Sequence, residues 1–240
     1  MIRYFVQLNR NASNSIIKYL DSILGSISDS EKYFYSQFQK SYINSTVLEI
    51  GGTGRPIFRK DDIGDYIGLD IDTSFDFKEK YHKYFAQSCE EENENLKADM
   101  IFSKYLLEHV PNNSKTFKNI EDWLIPGGKS VHIFPLGFHP FSLANKLAGN
   151  KFAKKLIPIL RPGTEAITGY PAFYNLCNSW DLHKVASNSK LKYKVKYFFG
   201  AEDYFAFFLP LSISVYFFNR FCHLFRLNIF ASNAVLIINK

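Results

Sequence analysis

Cysteine is scarce in this chain of 240 residues: Cys89, Cys177 and Cys222 lie far apart and are odd in number. With no Cys-x-x-Cys and no Cys/His spacing, the sequence argues against a disulfide framework and against a zinc site, so no metal is expected. A reducing, cytoplasmic setting is the simplest reading. The opening residues, MIRYFVQLNRNASNSIIKYL, lack the unbroken apolar core and small-residue cleavage site of a signal peptide. Triplets such as Asn44-Ser45-Thr46 are accordingly expected to carry no sugar. Internal repeats, low-complexity linkers and nucleic-acid-binding signatures are missing too, and no nucleic-acid partner is expected. The net charge of +6 is spread along the chain. It permits contact with phosphate or an anionic membrane face without requiring either.

What is present is enough apolar material, 46% of residues, for one well-cored domain over 1–240. Up to residue 44 the pattern is helical, with Ile16, Ile17, Leu20, Ile23 and Leu24 along one face and a second helix expected in SDSEKYFYSQFQKSY. The rhythm then changes to short apolar runs, TVLEI, YIGLDI, ADMIFS and KSVHIFP, separated by segments long enough for crossover helices. That alternation predicts an α/β fold with a parallel sheet. DWLIPGG reads as a helix end, a turn and the start of a strand. The stretch 136–190 is expected to hold an insertion carrying Lys146, Lys151, Lys154, Lys155 and Arg161, followed by a capped helix in NSWDLHKVASNSK. YKVKYFF and SNAVLIINK, within 191–240, read as closing strands that can pair antiparallel at the sheet edge.

The stretch STVLEIGGTGRPIFRKDDIGDYIGLDID carries the chemistry. Glycine after a strand lets the chain bend and lets a ligand touch bare main chain. A phosphate-cradling loop would need Lys-Ser/Thr after the glycines, and none follows. A dinucleotide fingerprint would need a third glycine, where Arg55, Pro56 and Ile57 stand instead. A ligand with an adenosine but no phosphate fits better. Asp70, at the end of the second strand, is placed to accept hydrogen bonds from both ribose hydroxyls, whereas Asp72 reads as a solvated loop acid.

On these residues the chain resembles the class I S-adenosylmethionine-dependent methyltransferases with a type 11/12 methyltransferase domain. VLEIGGTG is similar to the family's first motif, YIGLDID to its ribose-binding motif, ADMIFSKYLLEHV to its fourth-strand motif and WLIPGGKSVHIFP to the turn into strand five. Against the family's acid-x-Gly-x-Gly-x-Gly, the turn here is shorter or has Thr53 at the middle glycine. The resemblance implies a Rossmann-like, seven-stranded, mostly parallel sheet with an antiparallel edge strand and helices on both faces. It divides the chain into a helical cap (1–44), a cofactor-binding core (45–135), an acceptor-side insertion and helix (136–190) and closing strands around an aromatic helical insertion (191–240). S-adenosyl-L-methionine is the implied cofactor. Glu49 would organise the turn or reach the cofactor's amino group through water. Gly51, Gly52 and Gly54 would bare the main chain, Ile71 would pack on adenine and Ser103 would line the floor near the methyl group. His109 is the candidate general base, set against a local structural role. Glu90 and Glu91 read as a solvated acidic loop, and His132 as core. His139, His183 and Asp181 would face the acceptor only if the insertion folds over the site.

The aromatic run at 204–225 is broken by Pro210, Asn219, Arg220 and His223, which argues against a membrane span. It reads as a buried helical hairpin or as a surface docking onto membrane or a lipid-linked acceptor, with the cytoplasmic chain then peripheral at the inner membrane face. The expected reaction is methyl transfer to oxygen of a small-molecule, glycan or lipid-linked acceptor. The rivals are a non-catalytic, membrane-docking protein of the same fold and an NAD-dependent oxidoreductase.

Overall fold

A computed structural model describes residues 2–39, 41–52, 55–74, 76–147, 149, 160 and 170–240. Two compact units are present. One comprises 30–134, 173–196 and 235–240, and the other comprises 1–29, 135–172 and 197–234.

The sheet is built on the first of these. Its strands are β1 (Tyr42–Ile50), β2 (Ile63–Asp70), β3 (Lys83–Ala86), β4 (Ala98–Lys104), β5 (Leu124–Pro135), β6 (Lys192–Phe198) and β7 (Asn233–Asn239), in the order β3-β2-β1-β4-β5-β7-β6. β1 runs parallel to β2 and β4, β2 to β3, and β4 to β5. β7 is antiparallel to β5: the Gly127 N–H donates to Lys240 O at one end, and the Leu136 N–H donates to Ser232 O at the other. Val47, Leu48, Tyr66, Ile101, Phe102, Val131 and Ile133 are buried in the sheet, as parallel strands covered on both sides require.

Several expectations shift at the edges. β1 begins at Tyr42, before the predicted run, and the second N-terminal helix is short, Ser30–Tyr35. Pro126, Gly127 and Gly128 form no separate turn. Leu124 already pairs with Ala98 and Lys129 with Met100, so the Pro-Gly-Gly segment is a bulge inside β5, with Gly127 at φ 83°. β3 was implied by a seven-stranded sheet but was located by no apolar run. It is four residues long, only partly buried, and follows a charged stretch.

Among the described residues this unit holds the helices α2 (Ser30–Tyr35), α3 (Asn113–Trp123) and α4 (Ser179–Asn188), the last capped by Asn178, whose side chain accepts from the N–H groups of Trp180 and Asp181. The other unit contains α1 (Ile2–Leu24), helical turns over 140–147 and α5 (Leu209–Leu224). The aromatic run therefore holds one sixteen-residue helix between short 3₁₀ turns, and not a hairpin.

Candidate active site

β1 is flanked by β2 on one side and β4 on the other, so the chain order reverses there, and ligands of open α/β sheets sit at such a point beyond the strands' carboxyl ends. Ile50, the last residue of β1, pairs with Leu69 of β2 and Ser103 of β4. Gly51 follows at φ +80°, and its N–H donates to Leu69 O at 2.8 Å. A Cβ at this position would be strained by that backbone and would lie 2.7 Å from Leu106 Cδ1. The turn is thus made by main chain alone, with Leu106 against it.

Asp70 closes β2 one residue beyond that pairing. Its Oδ1 accepts from the Asp72 N–H at 3.1 Å. Burial raises its pKa, against the opposing pull of the Asp72 and Ile71 main-chain N–H groups. Ile71, the next residue, is 74% exposed, an apolar side chain left open at the strand end. Asp72 is solvent-facing and caps Ser74, as the loop reading expected. Ser103 is fully buried, with its hydroxyl 2.8 Å from His132 Nδ1.

Glu49 stands on β1 two residues before Gly51 and is buried. Its Oε2 accepts a short hydrogen bond from the Tyr66 hydroxyl and lies 3.1 Å from that of Tyr81. The Tyr81 hydroxyl also reaches Gly52 O at 3.0 Å, which fastens the turn to the same cluster. Burial pushes the Glu49 carboxyl up to about 7, although the two phenols and the Ile57 N–H favour its charged form. The phenols are raised in turn, first by burial and then by Glu49. A Cβ on Gly52 would fall 2.2 Å from Glu49 Oε1, so the carboxyl occupies space that only glycine leaves.

Beyond β4, Tyr105 takes a left-handed conformation at φ 55° and Leu107–His109 forms a 3₁₀ turn. Glu108 is buried, and its pKa is pushed up to about 8 by desolvation; its Oε2 has no hydrogen-bond partner. Its main-chain oxygen accepts from the N–H groups of Phe173 and Tyr174. His109 is half-open, with Nε2 3.7 Å from Glu108 Oε1.

Gly54 lies outside the described residues, as do Lys151, Lys154, Lys155 and Arg161. Lys146 donates to Gly137 O at 2.9 Å. His132 is core, as expected, and burial lowers it to about 3. His139 is buried in the other unit, with Nε2 3.0 Å from Asn219 Oδ1, which accounts for it without an acceptor. His183 is exposed on α4, and Asp181 accepts from the capping Asn178.

The sequence reading missed Tyr66, Tyr81, Leu106 and Glu108. One signal was available for Tyr81: an isolated glycine inside a strand marks close approach. Gly68 is that glycine, and a Cβ there would meet the Tyr81 ring at 2.9 Å and the Tyr84 ring at 3.0 Å.

Residues 48–132 match the model of a family described as a methyltransferase domain. The match spans about a third of the chain and takes in the end of β1, all of β2, β3 and β4 and most of β5, so those strands resemble a methyltransferase domain. No curated protein matches the chain in sequence. Among solved structures it is similar to phosphoethanolamine N-methyltransferase 2 of Haemonchus contortus, solved with phosphomonomethylethanolamine and S-adenosylhomocysteine, at 16% identity and a TM-score of 0.52. The alignment covers all of this chain and 60% of that one, so the chain spans about three fifths of that protein's length. It is also similar to geranyl diphosphate C-methyltransferase of Streptomyces coelicolor A3(2), at 9% identity and a TM-score of 0.52, over 87% of this chain and 78% of that one. These likenesses define the fold.

Proposed function

We propose that the chain binds S-adenosyl-L-methionine at the carboxyl edge of β1, β2 and β4 and transfers its methyl group to a small-molecule acceptor. The observation that carries this reading is the pairing of a side-chain-free turn at Gly51, held left-handed, with the Asp70 carboxylate at the end of the neighbouring strand. That donor set suits an adenosyl group without phosphate. Main chain at Gly51 and Gly52 would lie along the methionine portion, Asp70 would accept from the ribose hydroxyls and Ile71 would cover the adenine. Gly54 belongs to the same proposed loop.

When bound, the cofactor supplies a methyl carbon already made electrophilic by its sulfonium, so the protein's task is alignment and exclusion of water. Glu49 acts on the turn through Tyr81, which reaches both its carboxyl and Gly52 O. Ser103, paired with His132, supports the floor from within the sheet. His109, partly open just beyond β4, takes up the acceptor's proton.

Oxygen is the proposed methylated atom, and the acceptor a small molecule, glycan or lipid-linked compound. The neighbours act at nitrogen and carbon by their names, so the atom rests on the proposed proton uptake at His109. Peripheral contact with the inner membrane face belongs to this proposal; no described helix is long and apolar enough to cross a membrane. The test is incubation of cell extract with the chain and methyl-labelled cofactor, read by mass spectrometry. Label appearing on one class of small molecule supports the reading; no transfer beyond that of an Asp70→Ala control contradicts it.

A further inference from the structure

In the unit that carries α1 and α5, both helices turn apolar side chains outward. A helix on a globular protein ordinarily puts its apolar stripe against the core. In α5 the buried residues are Ser212, Val215, Tyr216, Asn219 and Cys222, while Phe217, Phe221, Leu224 and Phe225 are 52%, 54%, 75% and 59% exposed. Their spacing places them on one face. The buried Asn219 is satisfied there: its Nδ2 donates to Gly200 O and to Glu202 Oε1 at 2.7 Å, and its Oδ1 accepts from His139 Nε2 at 3.0 Å. On α1 the pattern repeats. Val6 and Ser13 are buried, and Phe5, Leu8, Ile16, Tyr19 and Ile23 follow one another at helical spacing on the exposed side.

The charges in these helices are of nearly one sign. Asp21 is the sole acid of α1, and it is held by Arg220 at 3.0 Å; α5 contains no acid at all. Arg3, Lys18 and Arg226 are exposed, the last just past the end of α5. Exposed apolar faces on helices with an excess of cations match the interface of an anionic bilayer, where aromatic and aliphatic side chains enter the headgroup boundary and Lys or Arg pairs with lipid phosphate.

We propose that the outward faces of α1 and α5 dock on an anionic lipid bilayer. This assigns a surface and a lipid chemistry to the peripheral contact proposed for the chain, and it stands or falls separately from methyl transfer. The Arg220–Asp21 pair and the hydrogen bond from the Tyr216 hydroxyl to Asp21 at 3.0 Å join the two helices, so they bind as one body.

The test is co-sedimentation of the chain with vesicles of phosphatidylcholine alone and of phosphatidylcholine mixed with phosphatidylglycerol. Binding is expected only with the anionic lipid and is expected to fall as salt is raised. The double variants Phe217→Ser/Phe221→Ser and Phe5→Ser/Leu8→Ser should each lower the bound fraction about tenfold. Arg3→Glu/Lys18→Glu should lower it as well, and because it changes charge alone, it keeps the test open if an apolar variant misfolds. Unchanged melting temperature and S-adenosylhomocysteine binding would show that the surface alone was altered. The proposal is overturned if the chain ignores anionic vesicles, if the variants bind as the native chain does, or if velocity sedimentation without lipid shows a dimer that the apolar substitutions dissolve.

Discussion

Glu49→Gln tests the tyrosine-caged carboxyl under the turn. A carboxyl that titrates at about 7 when folded and at 4.5 when unfolded holds its proton more tightly in the folded state. At about 1.4 kcal/mol per pH unit, the difference is worth about 3 kcal/mol. The sign follows from linkage: the contribution is complete below pH 4.5 and is lost as pH rises through 7, because the ionised carboxylate is disfavoured in its buried site. Glutamine fills the same space between Tyr66 and Tyr81 and cannot ionise. The variant should therefore be close to the native chain in stability at pH 5 and should exceed it at pH 8, by an amount approaching about 3 kcal/mol. In melting temperature that is roughly 6–12 °C for a chain of this size. Urea or thermal unfolding followed by tryptophan fluorescence is suitable, since Trp123 is buried in the same unit as Glu49. An offset between the two proteins that is the same at both pH values would refute the reasoning, because it would mean that the Glu49 proton is held no more tightly in the folded chain.

Gly68→Ala should destabilise the sheet edge by about 1–3 kcal/mol, because the new methyl meets two tyrosine rings at or below 3.0 Å; unfolding in urea measures it, and a neutral change would mean the rings move aside freely. His109→Ala should slow turnover with cofactor affinity unchanged, and turnover equal to the native chain would make the imidazole structural.

The parts of this site that lie close together in sequence were legible. Alternating apolar runs predicted β1, β2, β4 and β5, and the glycines after Ile50 and the acid at Asp70 could be placed at the ends of β1 and β2 from their order alone. The cage around Glu49 was not legible, because its members come from neighbouring strands and loops: Tyr66 is 17 residues away and Tyr81 is 32. The pairing of β1 with β2 and the loop before β3 bring them together, and neither can be read from local pattern. β3 escaped because a short, half-exposed edge strand needs no apolar run. The aromatic segment read either as a buried hairpin or as a docking surface. α5 buries Val215, Tyr216 and Cys222 with Ser212 and Asn219 and leaves Phe217 and Phe221 outside, because residues on opposite sides of one helix cannot all reach the core.

The central claim is that main chain at Gly51 and the Asp70 carboxylate together hold an adenosyl sulfonium. Isothermal titration calorimetry with S-adenosylhomocysteine addresses it most directly, with Asp70→Ala alongside the native chain. Loss of a charged acceptor for two hydroxyls should weaken binding about ten- to a hundredfold. Saturable one-to-one binding that the variant weakens to that extent is the predicted result. Equal affinity in the two proteins, or no saturable binding to the native chain, would contradict the account.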